Sequence, residues 1–183
     1  FGPKPRRGRR HAADRPEERV TSWRTRIEAE ARAEGRRWLP LLAAVDEALG
    51  RDGIFVGDRA MACYRGALAN LPRYLPRTFL YPAGLGTAGY GLPAAIGASL
   101  GWPGTRVVAL HGDGGFMVVA PELATAAQLG LALPVVVVDN GGYGGVREEM
   151  RRRGDSEIAV HGPPVDFCGL AVSLGCYSLR TGD

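Results

Sequence analysis

Residues 111–144, HGDGGFMVVAPELATAAQLGLALPVVVVDNGGYG, decide the fold. The run opens on an acidic glycine-rich turn, Gly112, Asp113, Gly114 and Gly115, and closes on a carboxamide turn, Asp139, Asn140, Gly141 and Gly142. Each turn follows a short unbroken apolar stretch, RVVAL at 106–110 and VVVV at 135–138. Unbroken rather than alternating apolar strands are those covered on both faces, as in parallel sheets. Residues 121–129 between them (PELATAAQL) predict the crossover helix, with Gly130 as its cap. A β-α-β unit of this length brings both turns to the carboxyl edge of the sheet, where ligands of open α/β folds bind.

The flanking sequence repeats the order of helix, strand and glycine-rich turn. Residues 20–49 are rich in helix formers, with Trp23, Ile27, Leu41, Leu42, Val45 and Leu49 expected inside, Pro40 as a break and Gly50 as a stop. Residues 54–58, IFVGD, predict a short buried strand ending in a carboxylate. Glycines crowd residues 83–101 ahead of a helix starting near Leu92 and Pro93, where proline suits the first turn. After the second turn, residues 146–153 predict a charged, exposed helix, 167–175 another helix and 176–179 a further strand. The class is therefore α/β, a parallel sheet with helices on both faces. The end at Asp183, directly after that strand, predicts a sheet truncated before its final helix or edge strand.

Composition bounds the alternatives. A chain of 183 residues, 45% hydrophobic and with 27 glycines, suits one well-cored domain. No apolar run approaches the roughly 18–20 residues of a membrane span, and the basic amino terminus lacks the apolar core of a signal peptide. A soluble, cytoplasmic protein without a membrane partner is expected. Cys63, Cys168 and Cys176 form no CxxC pair and no zinc spacing with His11, His111 or His161, so buried, reduced thiols are expected. His111 ends a strand beside the acidic turn, where it either meets a ligand or packs under the loop. The net charge of +4 comes largely from residues 1–20, a Pro, Gly and Arg-rich segment expected to be a disordered linker or tail, followed by a connecting helix at 21–36. Arginines bind phosphates, but no stacking aromatics accompany these, so nucleic acid is not the expected partner. A basic-tailed nucleic-acid binder is the second alternative.

The chemistry lies in the two turns. Asp113 stands among backbone N–H groups that Gly114 and Gly115 leave open to a bulky anion. An acid beside phosphate requires a cation between them, and magnesium takes octahedral oxygen ligands from one or two side chains, phosphate and water. Asn140 offers a neutral carbonyl oxygen, and Gly141 and Gly142 can turn a backbone carbonyl inward. Either motif alone is a common surface turn. Paired at this spacing, each ending a buried strand, they describe a magnesium and diphosphate site. No GxGxxG directly follows the first strand, residues 54–58, as a dinucleotide fold would require, the one at 84–89 lying well beyond it.

These residues resemble the cofactor-diphosphate-binding domain of the thiamine-diphosphate-dependent enzymes, whose signature is Gly-Asp-Gly, about two dozen residues, then Asn-Asn. The segments GLGTAGYGLPAAIGA, GDGGF, PELATA and DNGGYG look like the acetolactate-synthase and 2-oxo-acid-decarboxylase branch, over residues 37–183. The resemblance implies thiamine diphosphate and Mg2+ as cofactors. It implies metal ligation by the Asp113 and Asn140 side chains and the Gly142 carbonyl, and diphosphate contact by Gly112, Gly114 and Gly115. Gly86, Thr87 and Ala88 match the loop against the aminopyrimidine, Gly144 is a further cofactor-binding position, and Tyr143 and the helix from Val146 approach the substrate side, where Tyr143 is equally readable as packing. Two positions depart from the pattern. Asp139 replaces the first asparagine and is expected beside the metal without ligating it; Ala88 stands where the family carries a bulky Met, Leu or Ile wedge. The activating glutamate belongs to a pyrimidine-binding domain, which no segment here resembles, so a partner domain on another segment or subunit is expected, within a homo-oligomer acting on a small 2-oxo acid. The implied function is the diphosphate-binding half of a decarboxylase or acetolactate-synthase-like carboligase; the first alternative is a cofactor-binding fragment without turnover. The texture of GGYGGVREEM is closer to decarboxylases of larger or cationic 2-oxo acids.

Overall fold

A computed structural model describes residues 16–182. Four strands, β1 (Ile54–Gly57), β2 (Phe79–Leu80), β3 (Val107–Gly112) and β4 (Val135–Val138), form one parallel sheet in the order β2-β1-β3-β4. Around it lie α1 (Pro16–Gly35), α2 (Leu39–Leu49), α3 (Leu68–Asn70), α4 (Gly91–Gly101), α5 (Asp113–Val119), α6 (Glu122–Gln128), α7 (Gly144–Arg153) and α8 (Phe167–Ser173).

Alternate strand residues face opposite sides. Phe55, Val108 and Leu110 pack with Trp38, Leu42, Val45, Leu49 and Cys63, the last on a π-helical stretch, Ala62–Ala67. On the other face Ile54, Val56, Val107 and Ala109 meet Ala95 and Ala98 of α4. Beyond them Leu92 and Ile96 join Phe116, Leu123 and Ala126 from α5 and α6. Covering both faces explains why β1 and β3 read as unbroken apolar runs. The valines of β4, at the sheet's edge, are only half-buried.

Register sets the functional edge. Gly57 lies opposite Leu110, and Gly112 opposite Val138. Asp58 therefore arrives level with His111, and Asp113 level with Asp139.

Several expectations need correction. The helix begins at Pro16 rather than residue 21, so residues 16–20 of the expected tail are helical; residues 1–15 lie outside the described ones. Trp23 and Ile27 are not core: they are 54% and 58% exposed, because α1 touches the body only near its end, where Asn70 Nδ2 donates to the Ala31 carbonyl at 3.1 Å. Periodicity shows that a helix face is apolar, not what covers it. Pro40 is no break, since it sits in the first turn of α2, where its missing N–H is harmless. The break comes earlier, at the buried Gly35 and the 3-10 turn Arg36–Trp38.

The crossover is two helices rather than one, α5 starting directly at Asp113 and Pro121 separating it from α6. Residues 176–179 form no strand. The Cys176 thiol contacts the Leu123 carbonyl and the Ser178 hydroxyl donates to the Cys168 carbonyl, holding this stretch on α6 and α8 instead. All three cysteines are free, but only Cys63 is fully buried. Burial and the nearby Asp58 carboxylate push the Cys63 thiol's pKa up, and it donates to the Leu110 carbonyl at 3.4 Å. No described helix is long and apolar enough to cross a membrane.

The contrast between the two ends of the amino-terminal helical region is testable by urea denaturation. Leu49→Ala, at a fully buried position, should cost about 2–5 kcal/mol, whereas Ile27→Ala should stay within about 0.5 kcal/mol.

Candidate functional site

Three strand ends meet at the carboxyl edge. At the end of β1, Asp58 is fully buried and accepts from the N–H groups of Gly89 at 3.1 Å and Tyr90 at 3.0 Å, while its Oδ2 lies 3.3 Å from His111 Nδ1. Burial acts to raise the Asp58 pKa, but the His111 hydrogen bond, the Gly89 N–H, the His111 charge and the Arg59 N–H outweigh it and hold the carboxyl below its ordinary range. His111 is buried, with the edge of its ring against Phe116 at a centroid distance of 5.6 Å. Its Nε2 is turned toward Gly91, where an added Cβ would lie 2.8 Å away. The ring is thus packed under the loop, with Nε2 buried and without a hydrogen-bond partner.

At the end of β3, Asp113 is 5% exposed and its Oδ2 accepts the Gly142 N–H at 2.5 Å. The second oxygen, Oδ1, is buried and has no hydrogen-bond partner. At the end of β4, Asn140 Oδ1 is likewise buried and unpartnered. Buried acceptors normally find a donor, and one left bare costs about 1–3 kcal/mol. Two bare oxygens, one anionic and one neutral, beside the same loop suit a hard cation. Among the described residues no cluster of three or more His, Cys, Asp or Glu offers a different metal site.

The loop at 140–144 is held from several sides. Arg147 donates to the carbonyls of Asn140 at 2.8 Å and Gly141 at 3.3 Å. The Gly142 carbonyl accepts from the Gly144 N–H at 3.0 Å around Tyr143 (φ −86°, ψ 68°), an inverse γ-turn that leaves the oxygen a second lone pair. Asp139 is exposed and accepts the Gly141 N–H at 3.1 Å, an Asx turn that points it to its own backbone.

Three of the motif glycines are crowded by their neighbours. A Cβ on Gly115 would lie 2.5 Å from Asp58 Oδ2, one on Gly144 2.7 Å from Asn140 Nδ2, and one on Gly114 3.0 Å from the Tyr143 ring. Tyr143, 48% exposed, thus lies across the GDGG turn. Ala88 is close to Gly115, its Cβ 3.9 Å from where a Gly115 Cβ would stand, while Gly86 (φ +63°) is overlaid by the Arg59 guanidinium and Thr87 is exposed. Every sequence-predicted residue therefore falls on the three loops of this one edge. Asp58 was not among them. Its only sequence signal is a carboxylate closing a buried strand.

This arrangement matches known proteins. The profile of the thiamine pyrophosphate enzyme C-terminal TPP binding domain fits residues 60–183. The chain belongs to this family. An acetolactate synthase large subunit of Mycobacterium tuberculosis is 37% identical over 147 residues, 76% of this chain and 24% of that protein. A probable 2-ketoarginine decarboxylase of Pseudomonas aeruginosa is 39% identical over 137 residues, covering 74% of this chain and 24% of its own length. Among solved structures, the thiamine diphosphate-dependent 4-hydroxybenzoylformate decarboxylase of Rhodococcus jostii superposes with a TM-score of 0.68 at 28% identity, over 75% of this chain and 26% of that one. The chain thus spans about a quarter of the length of the curated relatives it matches.

Asp58→Asn should lower stability at pH 7 by about 1–3 kcal/mol, because an amide cannot accept from both Gly89 and Tyr90. A depressed carboxyl pKa stabilises above the unfolded-state value, near 3.8, and that contribution disappears as pH falls through the lower folded value. Urea denaturation should accordingly show the gap between wild type and variant narrowing below about pH 4; a gap independent of pH would refute the role of the charge.

Proposed function

We propose that this chain binds thiamine diphosphate through a magnesium ion, as the diphosphate-binding half of a 2-oxo-acid decarboxylase or acetolactate-synthase-like carboligase. The observation that carries this reading is the pair of buried, donorless oxygens, Asp113 Oδ1 and Asn140 Oδ1, flanking the Gly142 turn. These two side chains and the Gly142 carbonyl would hold the ion, one carboxylate with two neutral oxygens suiting a cation whose charge the diphosphate mostly balances. Gly112, Gly114 and Gly115 would face the diphosphate, where any side chain would intrude. Gly86, Thr87 and Ala88 would lie against the cofactor's aminopyrimidine, on a loop that Asp58 anchors through Gly89 and Tyr90. Gly144 would adjoin the cofactor, and Tyr143 and α7 from Val146 onward would border the substrate side.

When bound, the cofactor supplies the electron sink for releasing carbon dioxide from a 2-oxo acid, while the protein supplies geometry and electrostatics. The residues of this chain hold the cofactor's tail, and Asp58 and His111 keep the supporting loops ordered. A pyrimidine-binding domain, on another segment or subunit of a homo-oligomer, completes the site in this reading. That the chain spans about 24% of the relatives' length supports it. Relatives of both reaction types lie at comparable identity, 37% and 39%, so the small 2-oxo acid is assigned by class only.

Calorimetric titration checks the proposal. Thiamine diphosphate should bind the wild-type chain with magnesium and not after chelation, and Asp113→Ala, folded by circular dichroism, should bind about 100-fold more weakly or worse. Affinity indifferent to both changes would sink the reading. Ala88→Leu, which adds apolar area beside Gly115, should tighten binding severalfold, about 1 kcal/mol for the added contact.

A further inference from the structure

The turn that presents Gly142 does not stand alone. Between α7 and α8 the chain forms no helix or strand, yet it returns to pair with the loop: the Tyr143 N–H donates to the Val160 carbonyl and the Gly162 N–H to the Gly141 carbonyl, each at 2.9 Å, closing an antiparallel bridge between Gly142 and His161. The fit is tight. A Cβ on Gly142 (φ +122°) would lie 2.5 Å from the Val160 carbonyl oxygen and 2.6 Å from the Gly162 nitrogen. The strap at 159–162 carries its own strain, since Ala159 adopts a left-handed φ of +57° that a side chain disfavours. Something must hold it down.

Two ties do so. Val160 is buried, 3% exposed, and anchors the middle of the strap in the protein. Glu157 anchors its approach: Oε1 accepts from Arg151 Nε at 2.8 Å and Nη2 at 2.7 Å, and Oε2 pairs with His161 Nε2 at 2.8 Å. The Glu157 side chain is 25% exposed, while those of Arg151 and His161 are 63% and 60% exposed. Arg151 stands on α7, which starts at Gly144, the residue after Tyr143. A closed ring results, from the Gly142 turn through α7 to Arg151, across Glu157 to His161, and back to Gly142 by backbone pairing.

We infer that Glu157 is a positioning residue which, by gripping Arg151 and His161 together, clamps the strap onto the Gly142 turn and keeps that turn aligned with Asp113. Its importance for cofactor binding rests on the reading of Gly142 as a metal ligand, whereas its grip on the turn is measurable without any ligand. Removing the carboxylate frees His161 and Arg151, both well solvated, and leaves the buried Val160 and the two backbone hydrogen bonds to hold the strap. The turn should then open more often while the sheet stays intact, because local opening draws on local contacts.

Two variants of the full chain, Glu157→Ala and Glu157→Gln, test this by amide hydrogen exchange and by thiamine diphosphate titration at varied magnesium. In Glu157→Ala the Gly142 amide should exchange about tenfold faster, with the Ala109 amide of β3 unchanged. The half-saturating magnesium concentration should rise about fivefold, the scale of losing the Glu157 hydrogen bonds to Arg151 and His161. Glu157→Gln should stay within about twofold of wild type on both, since its amide still accepts from Arg151 and can donate to a neutral His161. Unchanged Gly142 exchange in Glu157→Ala, or equal acceleration at Ala109, overturns the inference. If wild type shows no magnesium-dependent binding, the proposed metal site fails, and the exchange rates still decide the role of Glu157.

Discussion

One buried carboxylate organises the functional edge. Asp58 ends a strand whose every residue is buried, and it is fully buried itself. It costs free energy unless its oxygens are satisfied, so the surrounding chain is arranged around it. Two consecutive amides, Gly89 and Tyr90, aim at it, His111 lies against it, and Gly115 comes so close that any side chain would collide. A single charge thereby fixes the 86–90 loop, the end of β3 and the first turn of α5 relative to one another.

Register then does the rest. Because β3 and β4 end level, with Gly112 opposite Val138, the acid of one loop and the carboxamide of the next arrive together without either being placed by a long side chain. Most of what positions the site is backbone: the Gly142 amide on Asp113, the γ-turn at Tyr143, the bridge to His161. At Gly142 glycine is needed because two chain segments touch there, whereas at Gly114, Gly115 and Gly144 it leaves room for the side chains of Tyr143, Asp58 and Asn140.

This also explains what could be read from the sequence. The strands at 54–57 and 107–112 were legible because burial on both faces leaves unbroken apolar runs, the half-buried strand at 135–138 because its four valines favour extended backbone, and the two turns because their residue types name their chemistry. The class of fold and the family followed from those. Trp23 and Ile27 misled, since a periodic apolar stripe is the same signal whether or not anything covers it. The two-residue β2 leaves no periodicity to detect. The roles of Asp58, the strap and Glu157 were not legible for a shared reason: their partners lie at separations set by the folded chain, 31 residues from Asp58 to Gly89 and a bridge across two loops from Gly142 to His161, and no local pattern records such pairings. The stretch at 176–179 looked like a strand by composition, but a strand needs a neighbour, and its contacts are with α6 and α8.

Among the described residues β4 is the outer strand of the sheet, and this bears on behaviour in concentrated solution. Four consecutive valines, half-buried and paired on one side with β3, form the type of segment that recruits further strands and seeds aggregates when its other edge is open. Pro134 stands immediately before this run and Asp139 immediately after it. A proline withholds a backbone donor and a charge resists stacking of identical chains, so the pair brackets the valines as gatekeepers. The aspartate that departs from the family's paired asparagines thus sets a charge at the end of this apolar run, and a charge there disfavours in-register stacking of identical segments.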